Sequence, residues 1–230
     1  MAVRFPMWRY WLPLLAALLL AFSACNGGDG GNDSVSDPRE QLPRMVLTTD
    51  DLPEGYVQDE PSFSTNDDVA LGDEEKLAKL EEQGRILGYS APFTRGDVAA
   101  TEAPYFRVES TASLYEAEAG ASDSFAEAVE EARATDWESI LGFGEMQTEE
   151  LDLSIADEAL WLRITGVVES GEGQTAVIVI DDQILIRQGR ARGFLRVSSA
   201  LESSSDRSAL IDEVKALVEE QASRMDDVLH

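Results

Sequence analysis

The 230-residue chain almost lacks the side chains on which most enzyme and metal sites depend. It has one cysteine, Cys25, and one histidine, His230, at the last position. A Ser-His-Asp triad, a Cys-His dyad and a Cys/His zinc site need such residues inside a folded core, so these chemistries are excluded. The G-x-S-x-G nucleophile motif and the Walker-type phosphate loop are missing as well. We therefore predict no catalytic residue, no metal ligand and no cofactor.

Positive charge is also scarce. Asp and Glu number 45 against 18 Lys and Arg, which gives a formal net charge of −27 and an isoelectric point near 4.1. A field of this sign repels nucleic acid and anionic lipid surfaces, and it attracts cations. We therefore expect no nucleic-acid partner, and we expect an acidic, well solvated surface.

The first 24 residues have the three parts of a secretory signal peptide. Arg4 and Arg9 lie in a start without acids, residues 10–22 form an uncharged apolar run, and the small residues Ser23-Ala24 follow. This run is shorter than the roughly 20 apolar residues that cross a bilayer. The pattern predicts export with removal of residues 1–24, the alternative being an uncleaved anchor beside an incidental cysteine.

The only cysteine follows this leader directly. Phe22-Ser23-Ala24-Cys25 resembles the lipobox of bacterial lipoproteins, although Phe22 stands where Leu is usual. The resemblance implies lipid transfer to the Cys25 sulfur, cleavage after Ala24 and, commonly, acylation of the new amino group with a chain such as palmitate. Two or more acyl chains anchor a protein stably. We expect an extracytoplasmic protein of the cell membrane or outer membrane, with the membrane as a partner through Cys25.

From Cys25 onward, the composition is first that of a linker and then that of a folded domain. Residues 25–41 are rich in Gly, Asp, Ser and Asn without apolar periodicity, which is typical of a flexible tether. Residues 42–230 predict a single α+β globular domain, with a mostly antiparallel sheet and helices packed on one face. Strand-like segments fill residues 158–200, where a doubly wound parallel sheet would need helices between its strands.

Capping residues and apolar spacing predict three main helices. Asp73 can cap the first, and Gly84 would end it. Ser122 or Asp123 can cap the second, and the third is a long helix near the C-terminus. The apolar stripe of this last helix is Leu210, Val214, Leu217, Val218 and Met225. The stripe predicts that the last helix covers one face of the sheet.

Four arginines crowd one predicted hairpin of this acidic chain, and they are Arg187, Arg190, Arg192 and Arg196. Strand alternation places Arg190, Arg192 and Arg196 on one face with Phe194. Guanidinium groups can hold a carboxylate or phosphate bidentately, so these residues form a candidate anion-binding site. The interpretation that we favour is structural: the arginines pair with surplus acids and protect the strands from edge-to-edge association.

Acidic runs and one tryptophan provide weaker candidates. The runs are Asp67-Asp68 with Asp73–Glu75, and Glu149-Glu150 with Asp152. Clustered carboxylates can bind calcium, and a pair at the right separation can hydrolyse glycosides, but a chain this acidic contains such runs by chance. Trp161 lies opposite the stripe Leu160, Leu162 and Ile164, where it either stacks a ligand or packs under the helices. We favour packing in the core.

A series of short segments runs through the domain: Gly84–Tyr89 with Phe93, Tyr115 with Gly120-Ala121 and Phe125, Asp157-Glu158-Ala159, and Arg187–Arg190. The series resembles a group of uncharacterised secreted or lipid-anchored proteins of actinobacteria and Chloroflexi. The resemblance covers most of residues 42–230 and implies a single domain of similar layout. It implies no activity.

These patterns favour a non-enzymatic envelope module that binds a small ligand or an envelope protein. Two alternatives remain: a hydrolase that uses only carboxylates and hydroxyls, and an acidic, cation-binding surface protein. An apolar cavity between sheet and helices would favour ligand binding. A cleft lined by carboxylates at the separation that hydrolysis requires would favour the enzyme. A flat face with exposed aromatic residues would favour a protein partner.

Overall fold

The computed structural model describes residues 37–96, 104–141, 144–168, 176–202 and 207–230. The chain divides into Met1–Val35 and a compact unit, Ser36–His230. The predicted signal peptide, Cys25 and most of the predicted linker lie outside the described residues. Within the described ranges, no helix is both long enough and apolar enough to cross a membrane.

An eight-stranded sheet with antiparallel pairing forms the frame of this unit. Its strands are β1 (Tyr56–Gln58), β2 (Ser62–Ser64), β3 (Arg85–Arg95), β4 (Arg107–Tyr115), β5 (Gly144–Leu151), β6 (Glu158–Val168), β7 (Val177–Gln188) and β8 (Ala191–Glu202). Their order is β1-β3-β4-β8-β7-β6-β5, and β2 also pairs with β3. The predicted α+β class with a mostly antiparallel sheet is confirmed.

The helices are α1 (Pro38–Gln41), α2 (Asn66–Ala70), α3 (Glu74–Glu82), α4 (Glu118–Ala134), α5 (Trp137–Leu141) and α6 (Arg207–Leu229). As predicted, Asp73 caps α3 by accepting two backbone N–H bonds, and Gly84 follows the helix with a φ of +65°. Helix α1 occupies the end of the predicted linker 25–41, and Gln41 is buried there. The folded part thus begins before residue 42.

Helix α4 begins earlier than its sequence predicts. Its N-cap is Ala117, which makes no side-chain cap, so the prediction of Ser122 or Asp123 was wrong. Ser122 lies inside the helix and donates its hydroxyl to Glu158 of β6. Ser124, the seventh residue of the helix, bonds the Tyr115 hydroxyl at 2.7 Å. These serines join the helix to the sheet instead of starting it.

The two long helices cover opposite faces of the sheet. Helix α6 packs its stripe, including Val214 and Val218, into the main core with Ile184. Helix α4 brings Phe125 onto Leu162 in a smaller, separate cluster. The expectation of helices on one face has to be corrected, because β6 and β7 carry apolar side chains on both faces and each face therefore needs cover.

A buried ion pair lies on the α6 face, between β6 and β7. Arg163 donates from Nε to Asp182 Oδ1 at 2.7 Å and from Nη2 to Oδ2 at 2.8 Å. The Trp161 indole donates to the same Oδ1 at 2.7 Å, and Trp161 lies in the core as predicted. The side chains of Arg163 and Asp182 are 5% and 0% exposed. Because the two residues are register partners, a one-residue slip would send Asp182 to the other face.

We expect Asp182→Ala to destabilise residues 36–230 by about 3–5 kcal/mol, since it leaves the Arg163 charge buried and unpaired. These residues carry the sheet, its helices and both apolar clusters, so they can fold alone. The paired change Arg163→Met with Asp182→Leu should restore most of the loss. Urea unfolding measures both variants. A single variant no less stable than the double one would contradict this account of the pair.

The stripe of α6 gives a second prediction. Leu217 is 5% exposed and belongs to the main core, so Leu217→Ala should cost about 2–5 kcal/mol. Glu219 lies on the wet side of the same helix, with a 4.0 Å pair to Lys215, and Glu219→Ala should change the stability little. Thermal unfolding compares the two variants, and equal melting temperatures would mean that α6 is not docked through this stripe.

Candidate functional site

Two of the four hairpin arginines are held by carboxylates. Arg187 bonds Glu158 through Nε and Asp157 at 3.0 Å through Nη1. Arg196 donates from Nε to Asp181 at 2.9 Å. Burial works against the charged form of Arg196, but the bond and the charge of Asp181 outweigh it, and the pKa of Arg196 is raised. Both arginines thus pair with acids, as the structural interpretation expects. Its second part was wrong, because β7 and β8 lie inside the sheet and have no free edge to protect.

The other two arginines bond neutral groups. Arg190, in the turn before β8, donates to the Tyr115 carbonyl at 3.1 Å and contacts Gln41 Oε1 at 3.5 Å. Arg192 donates to the Ser124 hydroxyl at 2.7 Å and to its carbonyl at 3.0 Å. The four guanidinium groups therefore serve different segments of the domain, and they join the hairpin to α1, β4, α4 and β6.

A buried arginine that sequence reasoning did not select lies on the α4 face. Arg85 is 6% exposed and donates to Asn66 Oδ1 at 3.0 Å and to the Ser64 hydroxyl at 2.9 Å. Burial lowers its pKa, and the charge of nearby Arg192 acts in the same direction. The guanidinium lies over Gly88, where any Cβ would collide with it. The signal in the sequence was this glycine, three residues after an arginine at a strand start.

The acidic runs serve local structure where the chain is described. Asp68 accepts from the N–H and hydroxyl of Thr65 at 2.8 and 2.7 Å, which closes a capping box on α2. Those bonds lower the pKa of Asp68. Glu150 pairs with Arg133 of α4 at 2.7 Å. Within the described ranges, no three His, Cys, Asp or Glu residues are grouped so that they would hold a metal ion.

Asp181, the neighbour of Asp182 in β7, points to the α4 face. Besides Arg196, it accepts from the Ser198 hydroxyl at 2.9 Å and from Gln183 Nε2 at 3.1 Å. The bond from Gln183 fixes the amide of that side chain. Sequence reasoning missed both acids, although two adjacent acids inside an apolar strand must point to opposite faces and each needs a partner there.

A pocket of about 180 Å³ lies between α4 and the strands β6, β7 and β8. Its lining residues are Ala128, Glu131, Ala132, Thr135, Trp137, Leu160, Leu162, Gln183, Leu185 and Phe194. The floor is apolar, because Leu160, Leu162 and Leu185 are buried members of the small cluster under α4. The predicted arginine site and this pocket share the α4 face, but none of the four arginines lines the pocket.

The pocket follows from the side chains that α4 turns toward the sheet. Phe125 fills the space under the first half of the helix, whereas Ala128 and Ala132 face the sheet in the second half. The short alanines leave a gap above the leucine floor. Trp137 of α5 bounds this gap, and its indole N–H donates to the Ala132 carbonyl at 3.2 Å. The ring is thereby held as a wall of the pocket.

The polar groups of the pocket are few. Gln183 contributes its amide, which Asp181 orients, and Glu131 and Thr135 lie along the same face of α4. The Thr135 hydroxyl donates to the Glu131 carbonyl at 2.6 Å. A mostly apolar concave site with a small number of oriented polar groups suits a small organic molecule better than an ion.

Comparison with known proteins gives no family. No protein-family model matches the chain, and no curated protein is similar to it. The extracellular domain of PknH from Mycobacterium tuberculosis is 10% identical with a TM-score of 0.49, covering 86% of this chain and 97% of that one. The human StarD13 (DLC2) lipid transfer and protein localization domain is 13% identical with a TM-score of 0.21, covering 70% and 96%. Likeness at this level transfers no function from either domain.

Proposed function

We propose that the protein is a lipid-anchored, extracytoplasmic module that binds a small ligand in the pocket between α4 and the sheet. The observation that carries the proposal is this pocket of about 180 Å³ with its buried leucine floor. An apolar cavity of about 150 Å³ in a protein interior is large enough to hold benzene. Ligand sites are typically concave and mostly apolar, with few oriented polar groups, and the pocket has this composition.

The anchor rests on the sequence around Cys25. A cleavable leader ending in Ser23-Ala24, followed at once by the only cysteine, is the expected arrangement for lipid attachment. The roughly dozen residues from Cys25 to Asp37 can extend at most about 40 Å. The domain would thus stay close to the membrane. Its net negative charge would keep it from adsorbing to anionic lipid.

The contacts of the two buried acids, Asp181 and Asp182, do not favour a catalytic role for either of them. Asp182 accepts bonds from Arg163 and Trp161, and Asp181 accepts bonds from Arg196, Ser198 and Gln183, on both oxygens in each case. A general acid or nucleophile has to reach the substrate with a free oxygen. The oxygens of these two acids accept bonds that hold neighbouring strands together, so both acids have a structural role in the sheet below the proposed binding site.

Replacing Cys25 tests the anchor. Cys25→Ser should give an unprocessed precursor that incorporates no labelled fatty acid, because the sulfur that accepts the lipid is gone. Ser34→Ala, in the tether, is the control and should mature normally. Metabolic labelling with a palmitate analogue and membrane fractionation measure both. A Cys25→Ser protein that is processed and retained like the wild type would refute the lipid anchor.

Filling the pocket tests the ligand site. Ala132→Leu places a larger side chain in the gap, whereas Ala126→Leu makes the same change on the exposed side of α4. The full-length protein, purified from its own membranes in mild detergent, should carry a small molecule that mass spectrometry detects in the wild type and in Ala126→Leu. The molecule should be lost from Ala132→Leu. The same small molecules at the same level in all three would argue against this pocket.

A further inference from the structure

The volume of the pocket suits one ring with a short side chain. A cavity of about 150 Å³ holds benzene, so a volume of about 180 Å³ has room for a ring and a few more atoms. The part of the ligand that lies inside the pocket is therefore compact.

The walls of the pocket favour a ring. Phe194 of β8 and Trp137 of α5 both line it, and the leucine floor supplies the remaining apolar surface. The Trp137 ring is fixed by its bond to the Ala132 carbonyl. Aromatic pairs attract each other beyond the effect of the area that they bury, and aromatic faces also attract cations.

The charge at the pocket is negative. Glu131 lines it and is exposed, and within the described part of the chain its carboxylate has no hydrogen-bond or ion-pair partner. The neighbouring Arg133 forms an ion pair with Glu150, and Arg196 forms one with Asp181, so neither pairs with Glu131. Among the described residues that line the pocket, the single charged side chain is thus an acid. Such a group attracts an ammonium ion and repels a carboxylate.

We infer that the ligand is a small aromatic amine in its protonated form, with its ring over Leu160, Leu162 and Leu185 and its ammonium group at Glu131. The inference rests on the proposed ligand site and adds the chemical class. The overall charge of the chain, −27, acts in the same direction because it concentrates cations at the surface.

Three probes of one size test the class: benzylammonium, benzyl alcohol and benzoate. Residues 36–230 are titrated with each at pH 7 and low salt, and the dissociation constants are measured by NMR. Benzylammonium should bind about two- to fivefold more tightly than benzyl alcohol, the range for a solvent-exposed charge pair, and benzoate should bind most weakly. Added salt should reduce these differences, since it screens exposed charges.

Four variants, two changes with a control for each, assign the effect to the pocket. Glu131→Gln should bring benzylammonium down to the affinity of benzyl alcohol and leave benzyl alcohol unchanged. Glu219→Gln on α6 removes a charge from the opposite side of the sheet and should preserve the order of the probes. Ala132→Leu should abolish binding of all three, and Ala126→Leu should retain it. Melting temperatures confirm that each variant is folded.

The outcomes separate the class from the site. If the three probes bind equally, or if Glu131→Gln leaves their order unchanged, the aromatic amine is refuted while the pocket remains the ligand site. If benzoate binds most tightly, the assigned charge is wrong. If no probe binds and Ala132→Leu only raises the melting temperature, the gap is a packing void. This outcome would refute both the ligand class and the ligand site.

Discussion

Two adjacent acids in β7, Asp181 and Asp182, set the constraint on which the rest of the domain depends. Alternation along a strand sends them to opposite faces, and each has an arginine there, Arg196 on one face and Arg163 on the other. A slip of one residue between β6, β7 and β8 would send each acid to the opposite face of the sheet and would break both ion pairs as they are formed here. The ion pairs therefore join the three strands that form the floor of the pocket in the observed register.

The two faces of this fixed sheet are packed differently. The α6 face holds the main core, in which a long helix fills the space with Val214, Leu217 and Val218. The α4 face has a much smaller buried cluster. In the second half of α4, the residues that face the leucines of the sheet are alanines. The same sheet thus supports a dense core on one side and a pocket on the other. In the proposed function, the main core and the ligand site are therefore covered by different helices.

Local patterns in the sequence predicted the elements but not their arrangement. The strand Glu158–Val168, the cap of α3 at Asp73 and the α6 stripe depend on neighbours in the chain, so they were predictable. The placement of α4 on the second face was missed, although apolar residues on both faces of β6 indicate that both need cover. The side chains that bond the hairpin arginines lie 15 to 149 residues away, and the pocket depends on four separate segments. Neither can be inferred from local spacing.

The central claim is that the gap under α4 is a ligand site of the folded domain. Methyl NMR on residues 36–230 during titrations with benzylammonium, benzyl alcohol and benzoate tests it most directly, because the two faces have separate methyl groups. The account predicts saturable shifts for Leu160, Leu162 and Leu185, with Ile184 and Val218 unchanged on the α6 side. Shifts confined to the α6 methyls, or no saturable shift at the three leucines with any of the probes, would contradict it.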